Sequence, residues 1–177
     1  MTNKDLEIYI NKLKSGDKSA FSPIYQETYK SVYYMCYSVV KNAANAEDLT
    51  QDTFVRMYER ILSYQEGTNF KAWLLQIAKN LSMNFSKRNS RIESLDPQAE
   101  EFRLEDEDSN NPQDQIDVFG AAKRVLSEEE FQIVMYIVVD GLKRREVSAM
   151  LDMPIGTVTW KYNIAMKKLK DELERHE

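Results

Sequence analysis

The stretch M-P-I-G-T-V-T-W-K-Y-N-I-A-M-K-K-L-K-D-E-L, residues 153–173, follows a short segment from Arg144 to Leu151. Val158, Tyr162, Ala165, Leu169 and Leu173 recur at helical spacing and predict one inward face. Thr159, Trp160, Lys161, Asn163, Lys167 and Lys170 are left to project, with Thr157 as the expected N-cap. The Arg144–Leu151 segment predicts a second helix, and Met153-Pro154-Ile155-Gly156 supplies a tight turn between the two. Upstream, Ser127-Glu128-Glu129-Glu130 reads as a capping box that opens a helix from Phe131 to Val139, closed by Asp140-Gly141. Two helices about a tight turn suggest a helix-turn-helix, whose last helix would enter a DNA major groove with its N-terminal residues foremost. Helical hairpins in plain bundles share this pattern.

The rest of the chain is helical in character too. It has 177 residues, 5 Gly and 4 Pro, few of the residues that punctuate short strands. Leu6, Tyr9, Ile10 and Leu13 form a stripe ending before Ser15-Gly16. Phe21, Ile24, Tyr25, Thr28 and Val32, continuing through Met35, Cys36 and Val39, predict one long amphipathic helix. A third helix is expected from about Ala46 to Leu62, and a fourth carries Phe70, Trp73, Leu74, Ile77, Leu81 and Phe85 on its apolar face. The expected fold is all-α, with a helical bundle over residues 1–90 and a helix-turn-helix module over 117–177.

Charge separates the two modules. The net charge is −5, which taken alone argues against a nucleic-acid coat. Residues 1–88 carry +3, residues 89–117 carry −8 and residues 118–177 are neutral. The acidity therefore belongs mainly to a middle segment rich in like charges, read as a flexible linker over 91–116; an acidic helix around Pro97 to Asp108 is the alternative. A near-neutral second module is expected to bind DNA weakly without a larger partner.

Two outward rows stand out. Asp48, Gln51, Asp52 and Val55 share one side of the third helix. Gln76, Asn80, Asn84 and Lys87 share a face of the fourth, with Lys79, Arg88 and Arg91 nearby. Amides can pair with base edges, and Lys or Arg can neutralise phosphates. Spacing alone also fits two solvated faces. One cysteine, Cys36, excludes an internal disulfide and fits helix packing; one histidine, His176, excludes a His-rich metal site. Neither a membrane span nor a secretion signal is read, so a soluble, reduced, cytoplasmic protein is expected. The strings of phosphate-binding loops and nucleophile elbows are missing as well, which places an enzyme last among the readings.

Four strings, in order and approximate spacing, are D-K-S-A-F-S-P-I-Y-Q-E-T-Y from Asp17, A-E-D-L-T-Q-D-T-F from Ala46, F-K-A-W-L-L-Q-I-A-K-N from Phe70 and G-T-V-T-W-K-Y-N-I-A-M-K-K-L from Gly156. Together they resemble the RNA polymerase sigma-70 family, in its extracytoplasmic-function (ECF) group, over nearly the whole chain. The resemblance implies a non-enzymatic promoter-specificity subunit that needs no cofactor. Its partners would be core RNA polymerase, through the β′ clamp helices and the β flap, promoter DNA, and an anti-sigma factor. It implies that Asp48, Gln51, Asp52 and Val55 dock on the polymerase. Asn69, Gln76, Lys79, Asn80, Asn84, Lys87 and Arg88 would serve the −10 element, with Ser63 to Asn69 as the loop that pockets a flipped base. Arg144, Thr157, Thr159, Trp160, Lys161, Asn163 and Lys167 would serve the −35 element. Trp73 matches a family tryptophan, but its position among Phe70, Leu74 and Ile77 favours packing.

Several residues depart from the family pattern. The family often has Ser or Arg where this chain has Trp160, and Arg at the positions of Ile164 and Met166, which leaves Lys161 as the only base inside that stretch. Lys143 occupies a usual Ser or Thr cap position, and Asp152 replaces a turn glycine. A helix-turn-helix regulator that acts without being a polymerase subunit is the alternative function.

Overall fold

The computed structural model describes residues 3–93 and 118–175. Among them every regular element is helical, and the chain divides into two compact units.

In the first unit, α1 (Asn3–Lys14) buries Leu6, Ile10 and Leu13. A 3-10 turn, Lys18–Ala20, capped by Asp17, leads into α2 (Phe21–Val40), which buries Ile24, Thr28, Val32, Met35 and Cys36. The third helix begins earlier than the sequence pattern predicts. α3 spans Ala43–Arg60, because Asn42 Oδ1 accepts the Asn45 amide at 2.9 Å and so caps the helix three residues ahead of the expected start. It also ends earlier, giving way to a 3-10 turn at Ile61–Ser63. α4 (Phe70–Glu93) runs three residues past the expected boundary at 90; the remainder of the expected linker, and its acidic-helix alternative, lie outside the described residues.

α2, α3 and α4 pack on one another around Leu49, Phe54, Met57, Leu74, Leu75 and Ala78. Three threonines in this core are satisfied locally: Thr28, Thr50 and Thr53 each donate to the carbonyl one turn back at 2.7 Å. Lys71 is buried too, and pairs with Glu27 at 3.2 Å. Cys36 is fully buried, as its place on the α2 face implied, and burial pushes its thiol pKa up. Phe21, Tyr25, Tyr29, Tyr33 and Tyr37 form a row of rings one turn apart along α2, with centroids 5.3–6.3 Å apart, every pair stacked except Tyr25 and Tyr29, which are tilted. The Tyr29 hydroxyl donates to Glu47 at 2.6 Å and thereby ties this row to α3.

In the second unit, α5 (Val118–Val125) is a helix that the sequence reading left out. At eight residues it is too short to show a sustained period, yet it supplies Ala122 and Val125 to a cluster with Leu126, Val134, Ala165 and Leu169. The capping box at Ser127 is present: the Ser127 amide donates to Glu130 at 2.9 Å and the Glu130 amide to Ser127 Oγ at 3.3 Å. α6 (Glu128–Val134) then widens into a π-helical segment, Met135–Val139, before Gly141 turns the chain at φ +66°.

α7 spans Arg144–Leu151 as expected. The two unusual residues around it fit. Lys143 makes no side-chain cap, but its amide donates to Glu146 at 2.7 Å, and Asp152 takes the left-handed conformation at φ +51°, which Asp tolerates better than most residues. α8 spans Ile155–Leu173, so Thr157 is not its cap. Pro154 holds that position because its fixed φ suits helix entry and its carbonyl accepts the Val158 amide at 3.1 Å.

Lys168 closes this unit electrostatically, donating to both Glu130 oxygens at 2.9 and 2.8 Å. Burial opposes the Glu130 charge, but Lys168 and the Ser127 groups outweigh it and hold the carboxyl below its ordinary 4.5. A depressed carboxyl stabilises the fold above the unfolded-state pKa and loses that contribution as pH falls through the folded value. Urea midpoints of the wild type should therefore drop below about pH 4.5 more steeply than those of Glu130→Gln, which keeps the cap acceptor but not the charge. At neutral pH the variant should be about 1 kcal/mol less stable.

Candidate functional site

On α3, Asp48, Gln51, Asp52 and Val55 are all exposed and lie on one face. The buried residues of this helix, Leu49, Thr53, Phe54 and Met57, turn the row outward. The structure extends it beyond the sequence reading: Tyr58 is 44% exposed and Leu62, on the following 3-10 turn, 76% exposed, both at the next helical intervals. The signal was present in the 3-4 spacing from Val55, but an apolar residue near a helix end reads as core until its neighbours are known. The result is an acidic and amide patch that grades into an apolar one, suited to a basic and partly apolar protein groove.

On α4, Gln76, Asn80, Asn84, Lys87 and Arg88 are exposed and Lys79 is half-buried. Gln76 Nε2 donates to Asn80 Oδ1 at 3.0 Å, so the two amides present themselves as a fixed pair. Asn69 has a structural duty: its Oδ1 accepts the Ala72 amide at 3.2 Å and caps α4. Trp73 packs in a half-buried aromatic cluster, 5.5 Å from the Tyr64 ring and 5.6 Å from Phe70, in keeping with the packing reading. The loop Ser63 to Asn69 exposes Ser63 and Gln65 to Thr68 while Tyr64 is buried beneath them.

In the second unit, the residues assigned to the −35 element separate into groups. At 100° per residue, Trp160, Asn163 and Lys167 stand opposite the buried stripe of Val158, Ala165 and Leu169, and all three are exposed. Trp160 is 62% exposed, a large apolar side chain held at the helix front. Thr157 and Lys161 lie on one flank, where Lys161 pairs with Glu129 of α6. Thr159 lies on the other and donates to the Ile155 carbonyl at 2.9 Å. Arg144 is exposed on α7, with its guanidinium 5.2 Å from the centre of the Tyr162 ring. Among the described residues no cluster of His, Cys, Asp and Glu could hold a metal, and no helix is long and apolar enough to cross a membrane.

A family model described as Sigma-70 region 2 matches residues 24–92, from within α2 to the end of α4. The ECF RNA polymerase sigma factor SigE of Mycolicibacterium smegmatis is 32% identical over 172 residues, covering 92% of this chain and 66% of that protein. The chain belongs to the sigma-70 family, in its ECF group. Sigma factor SigW of Bacillus subtilis is 25% identical over 176 residues and is matched over 94% of its length, against 93% of this chain. The fold is also that of solved sigma factors. A Bartonella quintana sigma factor, RpoE, solved with the anti-sigma factor NepR, superposes with a TM-score of 0.59 at 23% identity, covering 87% of this chain and 96% of that one. CnrH, solved with the cytosolic domain of CnrY, gives 0.55 at 19% identity, covering 96% and 97%.

Proposed function

We propose that this sigma factor directs promoter-specific initiation by binding core RNA polymerase, recognising −35 and −10 elements and helping to open the duplex. The observation that carries the reading is the division of labour on the first unit. The outward row of α3 is acidic and amide, whereas that of α4 is amide and basic, so one helix suits a protein groove and the next suits DNA. The sigma factors among its relatives favour this role over that of a regulator acting without polymerase.

In this reading Asp48, Gln51, Asp52 and Val55 dock on the β′ clamp helices, and Tyr58 and Leu62 widen the contact. Arg144, Thr157, Thr159, Trp160, Lys161, Asn163 and Lys167 meet the −35 element. Trp160, Asn163 and Lys167 would enter the groove foremost, with Trp160 against a thymine methyl or the sugar backbone. Lys161 would first leave Glu129, an exchange of one ion pair for another with phosphate. Asn69, Gln76, Lys79, Asn80, Asn84, Lys87 and Arg88, with the Ser63 to Asn69 loop, serve the −10 element. Unstacking a base costs a few kcal/mol, recovered by pocket contacts and edge hydrogen bonds. Strand opening thus draws on binding energy; the polymerase performs the chemistry, this chain is not itself an enzyme, and it acts in the cytoplasm.

The test is run-off transcription with core polymerase over a genomic library. The wild type is expected to initiate at a defined set of promoters; failure on every template would refute the reading. Asn80→Ala is expected to redistribute initiation among promoters, with changes of about 1–3 kcal/mol per discriminated base, while core binding holds. An anti-sigma partner belongs to the same reading. Co-purification with a small membrane or zinc-containing protein supports it, and full activity governed by expression alone counts against it.

A further inference from the structure

The exposed loop Ser63–Asn69 is gripped by a helix distant in sequence. Its buried anchor is Tyr64, whose hydroxyl stands 2.8 Å from both Glu7 Oε1 and the Thr68 carbonyl and shares its proton between them. The same Glu7 oxygen lies 3.4 Å from the Gly67 amide, at the residue where φ of +79° requires glycine. Two turns further along the same face of α1, Lys14 Nζ donates to the Tyr64 carbonyl at 2.8 Å and pairs with Glu66 at 3.3 Å. It also lies 5.3 Å from the centre of the Tyr64 ring. Glu7 and Lys14 thus hold the loop at both its backbone and its buried ring. Burial first, and the Glu7 carboxylate second, push the Tyr64 hydroxyl up to about 12, so it remains a donor throughout any assay pH.

Such a grip exceeds what a connection between α3 and α4 needs. The turn already closes on itself through the Thr68 amide and hydroxyl, which both donate to the Gln65 carbonyl, and α4 has its own cap in Asn69. The contacts from α1 act instead on Tyr64, Glu66 and Gly67, which set the height and orientation of the exposed tip.

We propose that Glu7 and Lys14 are positioning residues for promoter opening, fixing the Ser63–Asn69 loop in the shape that receives a flipped base before DNA arrives. This rests on the sigma-factor reading of the loop given above. A loop ordered in advance does not lose its freedom at the moment of binding, so the contacts with the base appear in full as affinity.

The experiment uses the full chain assembled with core polymerase and a fluorescent single-stranded oligonucleotide. The oligonucleotide carries the −10 nontemplate sequence of a promoter that the wild-type holoenzyme transcribes. Glu7→Ala is expected to weaken its binding about tenfold, and Tyr64→Phe, which keeps the ring, by a similar factor. Glu7→Gln, whose amide oxygen still accepts from Tyr64 and Gly67, should stay within about threefold of wild type. The Glu7→Ala/Tyr64→Phe double variant should lose less than the product of the two single factors, because the two share the Tyr64–Glu7 contact while each also gives up one of its own, to Gly67 or to Thr68. Core affinity and binding of a duplex −35 fragment should not change. Wild-type oligonucleotide affinity in Glu7→Ala would overturn the proposal, as would a parallel loss of core and −35 binding, which marks a general packing role. If the wild-type holoenzyme does not prefer this oligonucleotide to a scrambled one, the base-pocket reading of the loop falls first and the inference with it.

Discussion

Asp52→Lys is expected to weaken binding of core polymerase about a hundredfold while leaving the fold intact. The carboxylate is exposed near the middle of the α3 row, flanked by Asp48 one turn before it and Gln51 beside it. Placing a cation there sets like charges against the basic groove that this row is proposed to meet, and disrupting a close interfacial charge pair costs about 2–5 kcal/mol. The helix itself scarcely registers the change. A lysine at 52 gains Asp48 and opposes Arg56, each one turn away, and such pairs are worth about 0.2–0.5 kcal/mol with opposite signs. Titration of labelled core enzyme and a thermal melt distinguish the effects: affinity should collapse with an unchanged melting temperature. A melting temperature lowered together with affinity would instead assign Asp52 to the fold.

The largest loss of stability is expected from Leu74→Ala. Leu74 is fully buried on α4, where it meets the core shared with α2 and α3. Truncation forfeits the transfer free energy of the lost methyl groups and leaves a cavity, at a cost of about 2–5 kcal/mol. For a unit of this size that corresponds to a melting temperature lower by roughly 10–25 °C. The amides of α2 and α4 should exchange correspondingly faster with solvent. Leu74→Met, nearly equal in volume, should cost under about 1.5 kcal/mol. Leu62→Ala offers the contrast: that leucine is 76% exposed, so its removal should change stability by less than about 0.5 kcal/mol and be felt in polymerase binding.

This contrast marks where sequence reading reached its limit. Leu62 and Leu74 look alike in the chain, and each follows a helical interval from its neighbours. Leu74 is buried on a helix that packs against both α2 and α3; Leu62 sits on the 3-10 turn after α3, where the register of the buried face breaks. Thr157 failed as a cap for a related reason. Propensity favours Thr, but Pro154 three residues earlier already satisfied the geometry of helix entry. In the same way Asn42 started α3 early, and the short α5 carried too few residues to display a period.

The helical class, the helix-turn-helix, the capping box at Ser127 and the two outward rows are legible in the chain, because each is written in contacts between residues three or four apart. The tertiary structure alone decided which polar residues are already engaged. Lys161 with Glu129 is separated by 32 positions, Lys168 with Glu130 by 38 and Tyr64 with Glu7 by 57. No local pattern encodes such pairs, since a charged or phenolic side chain takes its partner from whichever helix packing brings within about 3 Å. The grip of α1 on the Ser63–Asn69 loop belongs to this second kind of information: it came into view only when Glu7, Lys14 and Tyr64 were folded into one place.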